Sequence, residues 1–318
     1  MYYVGIDLGG TNIKTGLVSE DGRILEKVSR KTFADRDADL IVADMAATVE
    51  EVCRKAGVPL EEVHSVGVGT PGACVFETGE VVYANNLPFT HLMLGPKLEA
   101  LLKKPAFISN DANCAAYGEA VAGAAKGCRY VIMLTLGTGV GGGIIIDHKI
   151  YEGHNGAAAE LGHMAVMKDG QQCTCGRRGC LEAYASATAL IRMTRHTMEL
   201  QPKSLMWQEC GGDLEKVNGR TAFNAMRAGD FAAKEVVQTY IGFLAEGITS
   251  YISIFQPEVI LLGGGISNEG EALLAPLRER AYLYCYGSAY LTMPRIEKAA
   301  LGNDAGIIGA AMLHLNRG

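Results

Sequence analysis

The sequence predicts an internally duplicated α/β fold, on three observations. An apolar strand, a glycine turn and a second strand occur in "YYVGIDLGGTNIKTGLVSEDGRIL" and return in "VIMLTLGTGVGGGIIIDHKIY". "DLGGT" from Asp7 aligns with "TLGTG" from Thr135, a repeat of one supersecondary unit in each half. Strand-like runs alternate with helical spacing elsewhere, the pattern of a mostly parallel or mixed sheet covered on its faces. Finally, 318 residues with 48% hydrophobic content suffice for a sizeable core, at a length usual for two domains or one large α/β unit.

The elements follow in order. Residues 38–56 are Ala-rich with helical spacing, and "HSVGVGTPG" reads as a buried strand and turn. "PAFISN" is a short strand that runs into the Ala-rich helix "DANCAAYGEAVAGAAKG". Helical spacing returns in "ASATALIRMTRHTMEL" and "DFAAKEVVQTYIGFLAEGITSYISIF". "PEVILLGGGIS" is a buried strand ending in glycines, and "NDAGIIGAAMLHL" closes the chain as a helix capped by Asn303 or Asp304.

Bulk properties exclude several partners. Lys plus Arg number 29 against 35 for Asp plus Glu, which gives no electrostatic basis for nucleic acid or an anionic membrane surface. The opening "MYYVGIDLGG" has no basic n-region or apolar stretch before a cleavage site, and the most apolar run is broken by glycine. Nine cysteines, an odd number mostly scattered singly, do not form a disulfide framework, so a reducing cytoplasm is expected.

Three glycine clusters stand at the C-terminal ends of apolar strands: Gly9-Gly10-Thr11, Gly137-Thr138-Gly139 with Gly141 to Gly143, and Gly263 to Gly265. Glycine lets bare N–H groups converge on phosphate oxygens, and a Thr hydroxyl adds a donor. A single cluster is ordinarily a tight hairpin; three at strand ends indicate a nucleotide site. None matches a Gly-Lys-Ser/Thr loop or G-x-G-x-x-G. Asp7, at the exit of a buried strand, is poorly explained by packing and suits a hydrated Mg²⁺ beside phosphates.

The loop "CTCGRRGC" carries Cys173, Cys175 and Cys180. A Cys173–Cys175 disulfide would be strained across one residue, and C-x-C is not the redox C-x-x-C. Three thiolates on a glycine-rich loop suit a tetrahedral, structural Zn²⁺ that lacks one ligand. His163, His154 and His148 are all near enough in sequence to supply it.

"GIDLGGTNIK", "LTLGTGVGGG" and "VILLGGG" resemble the two phosphate motifs and the adenosine motif of the sugar kinase and actin superfamily. "NDANCAAYGE", "LGTGVGGG", "ELGH" and "CTCGRRGCLE", in this order, resemble the ROK family (repressors, open reading frames, kinases), most closely its bacterial glucokinase branch. The resemblance runs from residue 4 to about 313. It implies a two-domain actin-like ATPase fold of duplicated ribonuclease H-like domains with a cleft between them. The expected boundaries are 1–112 plus 299–318 for the small domain and 113–298 for the large one with its zinc loop.

The implied activity is ATP-dependent phosphorylation of the 6-hydroxyl of a hexose, glucose first. N-acetylmannosamine, N-acetylglucosamine, mannose and fructose are the alternative acceptors. ATP with Mg²⁺ would lie on Gly9, Gly10, Thr11, Lys14, Gly137, Thr138, Gly139, Gly264 and Gly265, with Asp7 toward the magnesium. Asp111, which on local sequence alone reads as a helix N-cap, becomes the general base of the NDAN motif. Asn86 (ahead of Asn85), Asn110, Glu160, His163 and Glu182 join it on the sugar, and His163 also becomes the fourth zinc ligand.

A homodimer is implied as well. Two positions depart from the family pattern: Ala159 stands where glycine is usual before Glu160, and "TPGACVF" lacks the usual Pro-Val-Asp. The rival class, a sugar-sensing transcriptional regulator of the same family, would carry a helix-turn-helix domain ahead of the first phosphate motif. The motif here begins at Gly5, which disfavours it.

Overall fold

The computed structural model describes residues 1–316 of the chain. Strands β1 (Tyr2–Leu8), β2 (Asn12–Ser19) and β3 (Ile24–Lys31) lead into helix α1 (Ala38–Ala56) and β4 (Val63–Thr70). The short β5 (Ala73–Val75), β6 (Glu80–Tyr83) and β7 (Thr90–Leu92) form an antiparallel meander. After α2 (Leu94–Leu102), β8 (Ala106–Asn110) and α3 (Asp111–Ala122), the second half opens with β9 (Tyr130–Leu136), β10 (Val140–Ile146) and β11 (Lys149–Ile150). Helices α4 (Glu182–Ala185), α5 (Ala187–Leu200), α6 (Met206–Glu209), α7 (Thr221–Arg227) and α8 (Phe231–Phe255) follow. The chain then runs through β12 (Val259–Gly263), α9 (Glu271–Tyr284), β13 (Arg295–Lys298) and α10 (Ala305–Ala311).

The predicted duplication is visible in the strand order. The first sheet runs β3-β2-β1-β4-β8 and the second β11-β10-β9-β12-β13, the same arrangement of equivalent strands. In each sheet the last two strands are parallel. The end of β1, with Asp7, therefore corresponds to the end of β9, with Thr135, as the sequence alignment anticipates.

By contacts the chain forms two compact units. One holds residues 1–133, 143–159 and the described residues from Ala300 on; the other holds 134–142 and 160–299. The sequence-based boundary put α3 and residues 143–159 with the second domain; here they group with the first. The reason is that α3 packs on α10, which has returned to cover β1 and β4. Side chains at Gly5 and Gly67 would collide with the backbone of Ile307 and Ala310, so glycine at both lets α10 lie directly on the sheet.

Helix α1 spans the residues predicted. Asp37 caps it by accepting the Asp39 N–H, and Gly57 ends it at φ 68°. Its buried Ile41, Met45, Val49 and Val52 recur at helical spacing and pack under the first sheet. The Thr15 and Thr48 hydroxyls, buried at 0% exposure each, satisfy one another at 2.7 Å between β2 and α1.

In the second unit α8 is the long organising helix, capped by Asp230 on Ala233 N–H, with Tyr240, Leu244, Ile248 and Tyr251 buried along one face. Asp304, one of the two predicted caps, stands at the N-cap of the closing helix, but its side chain makes no cap bond. A turn of 3₁₀ helix, Gly302–Asp304, leads straight into α10, and Asp304 accepts Lys27 Nζ at 2.9 Å instead. Among the described residues no helix is long and apolar enough to cross a membrane.

Candidate active site

In the first unit the β1–β2 hairpin builds the first glycine turn. Gly9 N–H donates to Asn12 O at 2.9 Å, and the Thr32 hydroxyl donates to Gly9 O at 2.6 Å. The antiparallel register sets Asp7 opposite Lys14, and their side chains form an ion pair at 3.0 Å. The Asp7 side chain retains 23% exposure, so this carboxylate at the strand exit is reachable from solvent. Gly10 lies close to Asn86, whose backbone oxygen would stand 3.2 Å from a Cβ there; Asn86 and Asn85 are both exposed.

The NDAN segment resolves the ambiguity at Asp111. The N-cap of α3 is Asn110, whose Oδ1 accepts Ala112 N–H at 2.9 Å and Asn113 N–H at 3.3 Å. Its Nδ2 donates to Gly72 O at 3.1 Å. Asn110 thereby satisfies the helix start and ties it to the turn after β4. Asp111 is the first helical residue, half-buried, and accepts Ala112 N–H at 2.8 Å. Just upstream, the Ser109 hydroxyl donates to Glu152 at 2.6 Å. Burial raises the Glu152 carboxyl above its ordinary range, opposed by that bond, and Glu77 raises it further.

In the second unit the glycine loop Gly137 to Val140 is held by the residues that follow the cysteine loop. Ala187 N–H donates to Gly137 O at 2.8 Å, and the Thr188 hydroxyl donates to Thr138 O at 2.8 Å. Glu182 Oε2 accepts Val140 N–H at 3.0 Å. The third glycine cluster closes β12: Gly264, at φ 81°, lies so near the Leu136 backbone that no Cβ fits. Gly264 and Gly265 are exposed at the start of a 3₁₀ turn that leads to α9.

The cysteine loop draws in one histidine. Ligand atoms of His163, Cys173, Cys175 and Cys180 all lie within 4.8 Å of one another. His148 and His154 stand outside that group. Cys175 Sγ is 3.7 Å from Cys180 Sγ, and Cys173 Sγ is 3.6 Å from His163 Nδ1. A tetrahedral ion with legs of about 2.3 Å to sulfur and about 2.05 Å to nitrogen has edges of about 3.8 and 3.6 Å. The donor set therefore fits zinc in chemistry, and these two edges match its spacing.

The thiols also require a cation to be stable together as anions. A backbone hydrogen bond from Arg177 lowers Cys175, but burial raises Cys173 and pushes Cys180 up to about 12. His163 turns Nδ1 to the cysteines and leaves Nε2 4.0 Å from Glu160 Oε2. Glu160 itself is exposed. The preceding Ala159 sits in the left-handed region at φ 65°, which accounts physically for glycine being usual there.

Sequence reasoning missed the groups that hold this assembly. Tyr251 donates to Leu161 O at 2.6 Å and Tyr240 to Ala185 O at 2.7 Å, so two buried hydroxyls of α8 anchor the ELGH turn and the end of α4. Tyr184 stacks on Phe243 at 4.1 Å and accepts Gln171 N–H. The available signal was polar-tipped aromatics on the apolar face of a long helix.

A family model described as the ROK family matches residues 3–317. A glucokinase of Thermotoga maritima is 40% identical over 311 residues, covering 98% of this chain and 96% of that protein. An N-acetyl-D-glucosamine kinase of Aliivibrio salmonicida is 32% identical over 327 residues, covering 99% and 100% of the two chains. Among solved structures, a ROK family glucokinase of Streptomyces griseus in complex with glucose and AMPPNP is 36% identical with a TM-score of 0.82. That match covers 98% of this chain and 99% of the other. The fold is thus the actin-like, two-domain α/β architecture with several sheets.

Proposed function

We propose, from the premise that the chain belongs to the ROK family, that it transfers the γ-phosphoryl group of ATP to the 6-hydroxyl of glucose. The observation that carries this reading is the near-full-length likeness to a glucokinase solved with glucose and AMPPNP. The glycine turns at equivalent strand ends support it independently of that likeness.

Asp111 acts as general base. Support comes from the division of labour at the start of α3, where Asn110 already caps the helix. The 6-hydroxyl proton passes to the Asp111 carboxylate as the oxygen bonds to the γ-phosphorus. The bond from that phosphorus to the β–γ bridging oxygen breaks, and ADP leaves. Such transfer needs positioning and charge neutralisation more than covalent help, so one aligned carboxylate suffices.

Gly9, Gly10, Thr11, Lys14, Gly137, Thr138, Gly139, Gly264 and Gly265 are assigned to the nucleotide, and Asn86, Asn110, Asp111, Glu160, His163 and Glu182 to the hexose. Backbone N–H groups of the glycine turns cradle phosphate oxygens. Asp7 would hold Mg²⁺ beside the phosphates, and the ion would supply neutralisation of their charge. Lys14, now on Asp7 at 3.0 Å, is the cation placed to move onto phosphate when the ion arrives.

Zinc on His163, Cys173, Cys175 and Cys180 is structural, because four protein ligands leave no position for a reacting water. An ion there would fix the imidazole through Nδ1, leaving His163 Nε2 beside Glu160 for the acceptor. The working form is a homodimer by the family resemblance, and unpaired cysteines suit a reducing cytoplasm.

The test is ADP formation measured by a coupled assay over glucose, mannose, fructose, N-acetylglucosamine and N-acetylmannosamine, with polyphosphate as a second donor. Glucose with ATP is expected to give the highest kcat/KM. A tenfold preference for an N-acetylhexosamine would overturn the acceptor assignment, and no turnover of any sugar would overturn the kinase reading.

A further inference from the structure

The Glu182 carboxylate is held from two sides within the second unit. Its Oε2 accepts the Val140 N–H at 3.0 Å, and its Oε1 accepts the Thr174 hydroxyl at 2.8 Å. Val140 ends the glycine loop and begins β10, while Thr174 stands between two cysteines of the metal cluster. One side chain therefore joins the nucleotide loop to the cysteine loop. The fit is close, since a Cβ at Gly139 would collide with Glu182 Oε2.

A carboxylate offers about four lone-pair positions, so two remain for incoming hydroxyl donors. The Cys173 Sγ also lies 3.5 Å from Glu182 Oε1. A metal-bound thiolate has no hydrogen to give, however. With the ion in place, Thr174 is the donor left on Oε1 among the described residues.

We propose that Thr174 is a positioning residue whose hydroxyl locks the Glu182 carboxylate onto Val140, so that hexose binding at Glu182 orders the glycine loop and tightens nucleotide binding. This rests on the assignment of Glu182 to the hexose site given above. The terminal torsion of a glutamate is broad and soft. Held at one oxygen only, the carboxylate turns toward a sugar hydroxyl at the expense of Val140. Held at both, it accepts the sugar while keeping the loop. The two ligands then favour the same arrangement, and the coupling is reciprocal. Thr174 is exposed, so replacing its hydroxyl by a methyl leaves the core untouched.

The experiment is calorimetric titration of a non-hydrolysable ATP analogue with Mg²⁺ into the zinc-loaded protein, with and without saturating glucose. In the wild type, glucose is expected to tighten the analogue about five- to tenfold. In Thr174→Val that ratio falls below about twofold, with zinc content, Tm and sugar-free nucleotide affinity unchanged, which a purely structural role would not produce. Thr174→Ser restores the wild-type ratio.

A Thr174→Val ratio equal to that of the wild type overturns the inference. So does a wild type that binds glucose without tightening the analogue. A wild type that binds no glucose overturns the hexose reading itself, a distinct failure. Amide exchange at Val140 in the wild type is a second readout independent of any variant: glucose must slow it, and unchanged exchange overturns the inference.

Discussion

The two glycine loops at the ends of β1 and β9 occupy equivalent places in sheets of the same strand order, yet they are held in different ways. The first is closed within its own neighbourhood, by Thr32 on Gly9 O and by the Asp7–Lys14 ion pair across the hairpin. The second is held from α4 and α5, by Glu182 on Val140, Ala187 on Gly137 and Thr188 on Thr138. Where the first half has Asp7, the second has Thr135. Duplication thus supplies a backbone cradle twice, and side chains divide the work. The first half carries the carboxylates proposed for the chemistry, Asp7 and Asp111. The second ties its cradle to the cysteine loop, the proposed metal site. Substitutions in the first half should accordingly damage turnover, and substitutions in the second should damage stability and affinity.

The largest effect separating the halves is expected at Asp111. Asp111→Asn keeps the shape of the first turn of α3, since Asn110 carries the cap. It removes the proton acceptor, so kcat should fall about 10²–10⁴-fold while glucose affinity by calorimetry changes little. Retention of more than a tenth of the wild-type kcat would sink the base assignment. Next comes the opposite signature, in the second half. Cys175→Ser should lose the metal and lower Tm, with destabilisation on the order of several kcal/mol, below the ~10 kcal/mol typical of whole zinc-dependent domains because only the loop depends on the ion. Elemental analysis and thermal melts check it; full zinc occupancy with an unchanged Tm would contradict the metal site.

Much of this contrast was legible in the sequence because it is written in local patterns. Glycine after an apolar run marked the strand ends, helical spacing gave α1 its observed limits, and the repeat of "DLGGT" in "TLGTG" pointed to the duplication seen in the two strand orders. The close group of three cysteines was legible for the same reason. What was not legible depends on residues far apart in sequence. The Glu182 bond to Val140 crosses 42 positions, and the Tyr251 bond to Leu161 crosses 90. No local propensity encodes either. The fourth member of the metal group stayed open among three histidines because chain folding, not spacing, selects His163. Asn110 shows the reverse difficulty: two adjacent polar residues both suit a cap, and only the helix start decides between them.

The smallest effect sharpens the contrast at Ala159, the last residue of the first unit before Glu160. Its φ of 65° is left-handed backbone, where a Cβ crowds its own carbonyl at a cost of about 1–2 kcal/mol relative to glycine. Ala159→Gly removes that strain but gives the unfolded chain more freedom, which takes back about 0.4–1 kcal/mol. The strain term is the larger, so the net sign is stabilising, by about 0.5–1 kcal/mol. For a chain of this size that is a rise in Tm on the order of 1–2 °C. Glu160 keeps its backbone path, so KM for glucose should move less than about threefold and kcat should hold, because neither Asp111 nor the first glycine turn is touched. A fall in Tm would show that the left-handed conformation at Ala159 is not strained.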